Sequence, residues 1–241
     1  IPIIQGTQFG VVFDSPVAHG TITSIDYTKA LATPGVIRII THEDIPGQNQ
    51  IGGIILDEQL FASTEVHFVG QPIALIIAES DQIAFEARKC IEISISKKDV
   101  IVDPREAQQK NELIIPPRTF ELGDTENSWE NCAHIIEGQA DSNGQEHLYI
   151  ETQGAYAVPL ENGHIRISSS TQGPTAVQRI TARVLGVGMH KIEVDVVRIG
   201  GGFGGKEDQA TPWAVMAALG VSILDSPVKV VLSRLDDMRM T

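Results

Sequence analysis

Apolar positions in the first hundred residues come in short bursts. Val11–Phe13, Thr21–Ile25 and Val36–Ile40 are rich in β-branched residues and bounded by Gly, Pro or Asp, which predicts short strands. Tyr27–Leu31 fits a short helix ended by Pro34-Gly35. The clearest unit runs from Gly70-Gln71-Pro72 through the apolar stretch Ile73–Ala78 to Ser80, a good N-cap. The helix expected over Asp81–Lys89 carries Asp81 and Glu86 early and Arg88-Lys89 late, as the helix dipole favours. Ile91, Ile93 and Ile95 then alternate as a strand with one buried face.

The pattern breaks at Lys97–Asn127, where Pro104, Pro116-Pro117, Gly123 and many charged residues leave little to bury; this stretch reads as a surface linker. A second unit is expected from Trp129. It opens with a long strand over His147–Val158 and a hairpin turn at Glu161-Asn162-Gly163, where Asn-Gly supplies positive φ. A return strand through Ile165 and Ile167 reaches Ser168–Thr171, and Gly173-Pro174 opens a helix with a stripe of Val177, Ile180, Val184 and Leu185, capped by Gly186. Ile192–Ile199 reads as a strand, Asp208–Leu219 as a buried helix and Val228–Leu232 as a buried strand. The mixed order gives an α+β class, with domains expected at 1–96 and 129–241 around a linker at 97–128.

Composition narrows the function classes. The 241 residues carry a formal net charge of −13, which argues against nucleic acid or an anionic membrane surface as partner. No apolar run approaches the roughly 20 residues that span a bilayer, and no basic-then-apolar leader opens the chain. Cys90 and Cys132 form neither a disulfide framework nor a zinc motif, so both are expected to be buried free thiols in a reducing cytoplasm. The chain begins at Ile1 rather than Met and stops directly after Ser233–Met240, so further sequence is expected on both sides.

The most informative segment is Arg198-Ile-Gly-Gly-Gly-Phe-Gly-Gly-Lys-Glu207. Five glycines in six residues fill no core, so the loop must approach something closely or adopt positive φ repeatedly. Gly200-x-x-x-x-Gly205-Lys206 matches a phosphate-binding loop except that Glu207 stands where a hydroxyl should hold Mg²⁺, an electrostatic mismatch. Gly200-x-Gly202-x-x-Gly205 also fits a dinucleotide fingerprint, but no second half of that fold follows it.

The same loop, following Ser170-Thr171-Gln172, resembles the molybdenum-binding subunit of xanthine dehydrogenase and related molybdenum hydroxylases. Asp14-Ser15-Pro16-Val17-Ala18-His19-Gly20, Pro34-Gly35-Val36, Asp44-Ile45-Pro46-Gly47 and Val69-Gly70-Gln71-Pro72 resemble that family's α/β-hammerhead domain. Gln145–Thr152 resembles the opening strand of its molybdopterin-binding domain.

The resemblance implies a molybdenum–molybdopterin cofactor, plain or as a dinucleotide, that hydroxylates an electron-poor carbon. It also implies electron transfer through [2Fe–2S] clusters to FAD on other domains or subunits. Gln172 then faces the molybdenum oxo group, while Phe203 and Gly204 run beside the metal and Gly201 and Gly202 permit that approach. Glu207 corresponds to a purine-binding glutamate, which tilts the substrate toward hypoxanthine or xanthine. Lys206 is expected to be solvated, and His147, Tyr149 and Glu151 to form a satisfied polar strand face. The remaining site residues are expected in the rest of the molybdenum domain, so these residues alone are expected to be inactive. An aldehyde or other N-heterocycle hydroxylase, or a non-catalytic module with this fold, stand as alternatives.

Overall fold

The computed structural model describes residues 1–241. The N-terminal strands are β1 (Gln8–Asp14), β2 (Gly20–Asp26), β3 (Val36–Ile40), β4 (Glu65–Val66), β5 (Pro72–Ala78) and β6 (Glu92–Lys97), with helices α1 (Thr28–Leu31) and α2 (Asp81–Arg88). Ser80 Oγ accepts the Ile83 N–H and fixes the start of α2, as its sequence signal predicts. Strands β4, β2 and β6 form a small antiparallel sheet.

Two short helices, α3 (Pro104–Gln109) and α4 (Thr125–Ser128), lie in a separate unit, 99–146, whose residues are nearly all exposed. The chain then forms β7 (Gly154–Pro159), β8 (Ile165–Ser169), α5 (Pro174–Leu185), β9 (Ile192–Asp195), α6 (Thr211–Leu224), β10 (Val228–Val231) and α7 (Arg234–Met240). The turn between β7 and β8 holds Asn162 at φ +59° and Gly163 at φ +70°, the positive-φ pair that the Asn-Gly signal requires.

The large sheet has the order β3-β5-β1-β10-β7-β8-β9. Strand β5 lies inside it with all seven residues buried. Leu75 and Ile77 join the core under α5 and α6, whereas Ala74, Ile76 and Ala78 join a second core with Ala84 and Ala87 of α2. An apolar run without alternation thus covers both faces of one strand. Helix α6 is buried at ten of its fourteen positions, so it too is apolar around most of its circumference.

Strand β1 pairs in parallel with β10, which carries strands from both ends of the chain into one sheet. The compact units are consequently 1–98 together with 147–241, and 99–146 by itself. Local sequence cannot announce that pairing, because its contact spans more than two hundred residues. Other differences are local. His147–Gln153 is not strand, since Leu148 takes φ +47°, and β9 ends at Asp195 rather than at Ile199. The two thiols are not buried: Cys90 is half-buried and Cys132 exposed.

Candidate functional site

Strands β8 and β9 are parallel neighbours, so their C-terminal ends open on the same edge of the sheet. The end of β8 delivers Ser170-Thr171-Gln172, and the chain leaving β9 reaches the glycine loop. Strand β10 is antiparallel to β7, which is antiparallel to β8, so α7 leaves β10 at that edge as well. Glu151–Gln153 enter β7 there. Ends of this kind are where open sheets collect ligand-binding loops.

The glycine loop folds back on itself, with the Gly205 N–H donating to the Gly202 carbonyl at 2.8 Å. Gly201 (φ +97°), Phe203 (φ +53°) and Gly204 (φ +96°) occupy the left-handed region, the repeated positive φ that the glycine run predicts. Phe203 pays conformational strain there and is nevertheless 76% exposed.

Gln172 lies against this loop. Its Oε1 accepts the Gly204 N–H at 3.1 Å and the Lys206 N–H at 3.3 Å. Two converging backbone donors fix the amide orientation and leave its exposed Nε2 as a donor for another group. A Cβ at Gly202 would sit 2.5 Å from Gln172 Oε1, so only glycine admits this contact. Glu207 is exposed on the turn that follows, and its carbonyl lies 3.0 Å from a Cβ built at Gly173. The structure therefore brings Gln172, Gly201, Gly202, Phe203, Gly204 and the backbone of Glu207 to one place. Glu207 does not open a helix, because α6 starts only at Thr211.

Lys206 is a correction to the sequence reading. It is fully buried, not solvated: its Nζ donates to the Glu151 carbonyl (2.8 Å), Glu151 Oε2 (3.2 Å) and Ser170 Oγ (2.7 Å), and lies 4.5 Å from the Tyr149 ring centre. Burial pulls the Lys206 ammonium below its ordinary pKa while the Glu151 carboxylate pushes it back up. Burial also raises Glu151, but hydrogen bonds from Ser170, the Gly200 N–H and Lys206 outweigh that and hold it below its ordinary value.

Tyr149, expected on a polar strand face, is 1% exposed and donates to Asp237 Oδ1 at 3.0 Å. Burial, with the Asp237 charge adding to it, pushes this phenol up to about 12. Gln153 Nε2 donates to both Tyr149 Oη and the Gly205 carbonyl at 2.8 Å. Gln153 and Asp237, and the supporting role of Tyr149, Glu151 and Lys206, escaped the sequence reading. The available signal was Lys206 itself, a long cation directly after the glycine run.

The N–H groups of Gly201, Gly202 and Phe203 have no acceptor within the chain. Together with Gln172 Nε2 they are neutral donors on a side-chain-poor loop, exposed at Phe203 and Gly204 and buried at Gly202. That set suits a bulky anionic group such as a pterin-bound oxometal centre.

Residues 105–241 match the family model of the molybdopterin cofactor-binding domain, and residues 1–99 that of the aldehyde oxidase and xanthine dehydrogenase a/b hammerhead domain. The chain belongs to the molybdenum hydroxylase family. Relatives include xanthine dehydrogenase from Dictyostelium discoideum, 36% identical over 97% of this chain and 17% of its own length. Aldehyde oxidase 2 from Macaca fascicularis is 37% identical over 100% of this chain and 18% of its own length. The chain thus spans less than a fifth of these relatives. Aldehyde oxidoreductase from Desulfovibrio gigas shares the fold, with a TM-score of 0.85 at 24% identity over 98% of this chain and 28% of that one. The hammerhead and molybdopterin-binding architecture expected from the sequence is therefore the one present. No helix is long and apolar enough to cross a membrane.

Proposed function

We propose that this chain forms part of the molybdenum site of a xanthine dehydrogenase that hydroxylates purines, hypoxanthine and xanthine to urate. The observation that carries the purine assignment is Glu207, a carboxylate exposed at the end of the loop that holds Phe203 and touches Gln172. The relatives do not separate the two substrate classes, since xanthine dehydrogenases and aldehyde oxidases match equally well. A carboxylate at this position does favour one: it recognises a ring nitrogen of a purine and offers nothing to a simple aldehyde.

The residues divide the work. When bound, the molybdenum–molybdopterin group, plain or as a dinucleotide, supplies the two-electron oxidation and the oxygen inserted into an electron-poor carbon. Gln172 would hold that group through its Nε2 donor, since its Oε1 is locked by the Gly204 and Lys206 N–H groups. Gly201, Gly202, Phe203 and Gly204 let the backbone pass beside it, and Glu207 orients the purine. Domains or subunits carrying [2Fe–2S] and FAD would accept the electrons, and the rest of the molybdenum domain would complete the site. These residues alone hold no complete site and are inactive. The division into a hammerhead domain (1–96), linker (97–128) and cofactor-binding part (129–241), and a cytoplasmic location, belong to the same proposal.

Replacing Glu207 with Val in the assembled enzyme tests it. Loss of a hydrogen bond to a charged group costs about 1.5–3 kcal/mol, so kcat/KM for xanthine should fall roughly 10- to 150-fold while an aromatic aldehyde is spared. An equal fall for both substrates with molybdenum retained would show that Glu207 does not contact the purine.

A further inference from the structure

The small sheet β4-β2-β6 carries a cluster with no part in the site above. The register Gly20↔Val66 and Thr21↔Glu65 continues to place His19 opposite His67. Glu65 lies in β4 and His67 directly follows that strand. His19 Nε2 is 2.7 Å from Glu65 Oε1, and the His19 and His67 rings stack with centroids 5.7 Å apart. One ligand atom from each of His19, Glu65 and His67 lies within 4.8 Å of the others.

We infer that His19, Glu65 and His67 form a binding site for a divalent cation of Zn²⁺ type, clipping β4 to the start of β2. Two imidazoles with one carboxylate suit borderline metals such as Zn²⁺ and disfavour Mg²⁺ and Ca²⁺, which take oxygen ligands. Donors around tetrahedral Zn²⁺ are roughly 3.3 Å apart, given bond lengths near 2.0–2.1 Å. His67 is exposed and His19 and Glu65 are about one-third exposed, so side-chain rotation alone closes the set while the paired backbones stay fixed. The fourth position faces solvent and takes water.

The ligands arrive prearranged because the ladder holds them: the Lys98 N–H donates to the His19 carbonyl on one side, and β4 pairs on the other. Lys98 Nζ contacts the same Glu65 oxygen at 2.7 Å and occupies the cation's place. Its side chain is 45% exposed and swings into water when the metal enters. Lys98 is therefore a built-in competitor, which sets the sign of the most informative variant.

The test is a Zn²⁺ titration of the full-length protein against a chromophoric chelator. His19→Ala, Glu65→Gln and His67→Ala should each weaken binding by about tenfold or more, and Lys98→Met should tighten it. A second histidine pair, half-buried His164 and exposed His190, serves as control, and replacing both with Ala should change nothing at this site. Absence of saturable Zn²⁺ binding overturns the inference. So does binding that survives His67→Ala, or that weakens in Lys98→Met. None of these side chains is part of either core, so circular dichroism of each variant should match the parent.

Discussion

Replacing Lys206 with Met removes the ammonium while keeping most of its stem, which isolates the polar contribution to loop anchoring. Three hydrogen bonds vanish: to the Glu151 carbonyl, to Glu151 Oε2 and to Ser170 Oγ. The ion-pair part is worth little, because the Glu151 side chain is 44% exposed and water replaces its partner; exposed pairs contribute about 0.2–1 kcal/mol. The larger loss comes from the Glu151 carbonyl, which loses this donor at about 1–3 kcal/mol if left unsatisfied, whereas Ser170 Oγ keeps its hydrogen bond to Glu151 Oε2. Relief from burying an ammonium offsets part of this. The net expectation is about 2 kcal/mol, felt as easier opening of the loop rather than global unfolding. Hydrogen exchange of the Gly204 and Lys206 amides reads that opening directly, since both donate to Gln172 Oε1. Exchange at these amides should accelerate roughly 30-fold, the equivalent of 2 kcal/mol. Acceleration below about twofold, the range of ordinary surface substitutions, would refute the view that Lys206 anchors the loop.

Two further outcomes follow from the same structure. Glu151 has its pKa held below the ordinary 4.5, so its stabilisation is present above pH 4.5 and is lost as pH falls through the lower folded value; protection of the Gly200 amide, which donates to Glu151 Oε2, should fall there, and Glu151→Gln should abolish the dependence. Limited proteolysis should cut first within 99–146, where nearly every residue is exposed and the helices span only six and four residues; first cuts within Ile73–Ile95 would contradict this.

The sequence revealed those features whose causes are local. The α5 segment reads correctly because Pro174 at its first turn and Gly186 at φ +65° are punctuation that any chain must obey. The glycine loop reads as a site because its composition has no packing use. What stayed hidden is non-local. The β1–β10 pairing and the descent of Tyr149 into a buried network with Asp237 depend on partners 88 or more positions away. Lys206 was misjudged for the opposite reason: lysine is normally solvated, and only the Ser170 and Glu151 oxygens gathered at the sheet edge make its burial tolerable.

This contrast explains why the loop needs such a scaffold at all. Glycines allow a backbone to approach a ligand because they remove side chains, and removing side chains removes the apolar contacts that normally hold a loop in place. Positive φ at Gly201, Phe203 and Gly204 fixes the chain's path but does not bind it to the sheet. Anchoring therefore falls to hydrogen bonds made beneath it. Lys206 ties the loop to Glu151 and Ser170, Gln153 holds the Gly205 carbonyl, and Gln172 clamps two amides from the side. Asp237 in turn accepts from Tyr149 and from the Gln153 N–H at 2.6 Å, joining the network to α7. Apolar packing builds the platform of sheet and helices, and a polar network spends its buried groups on holding a loop that cannot pack.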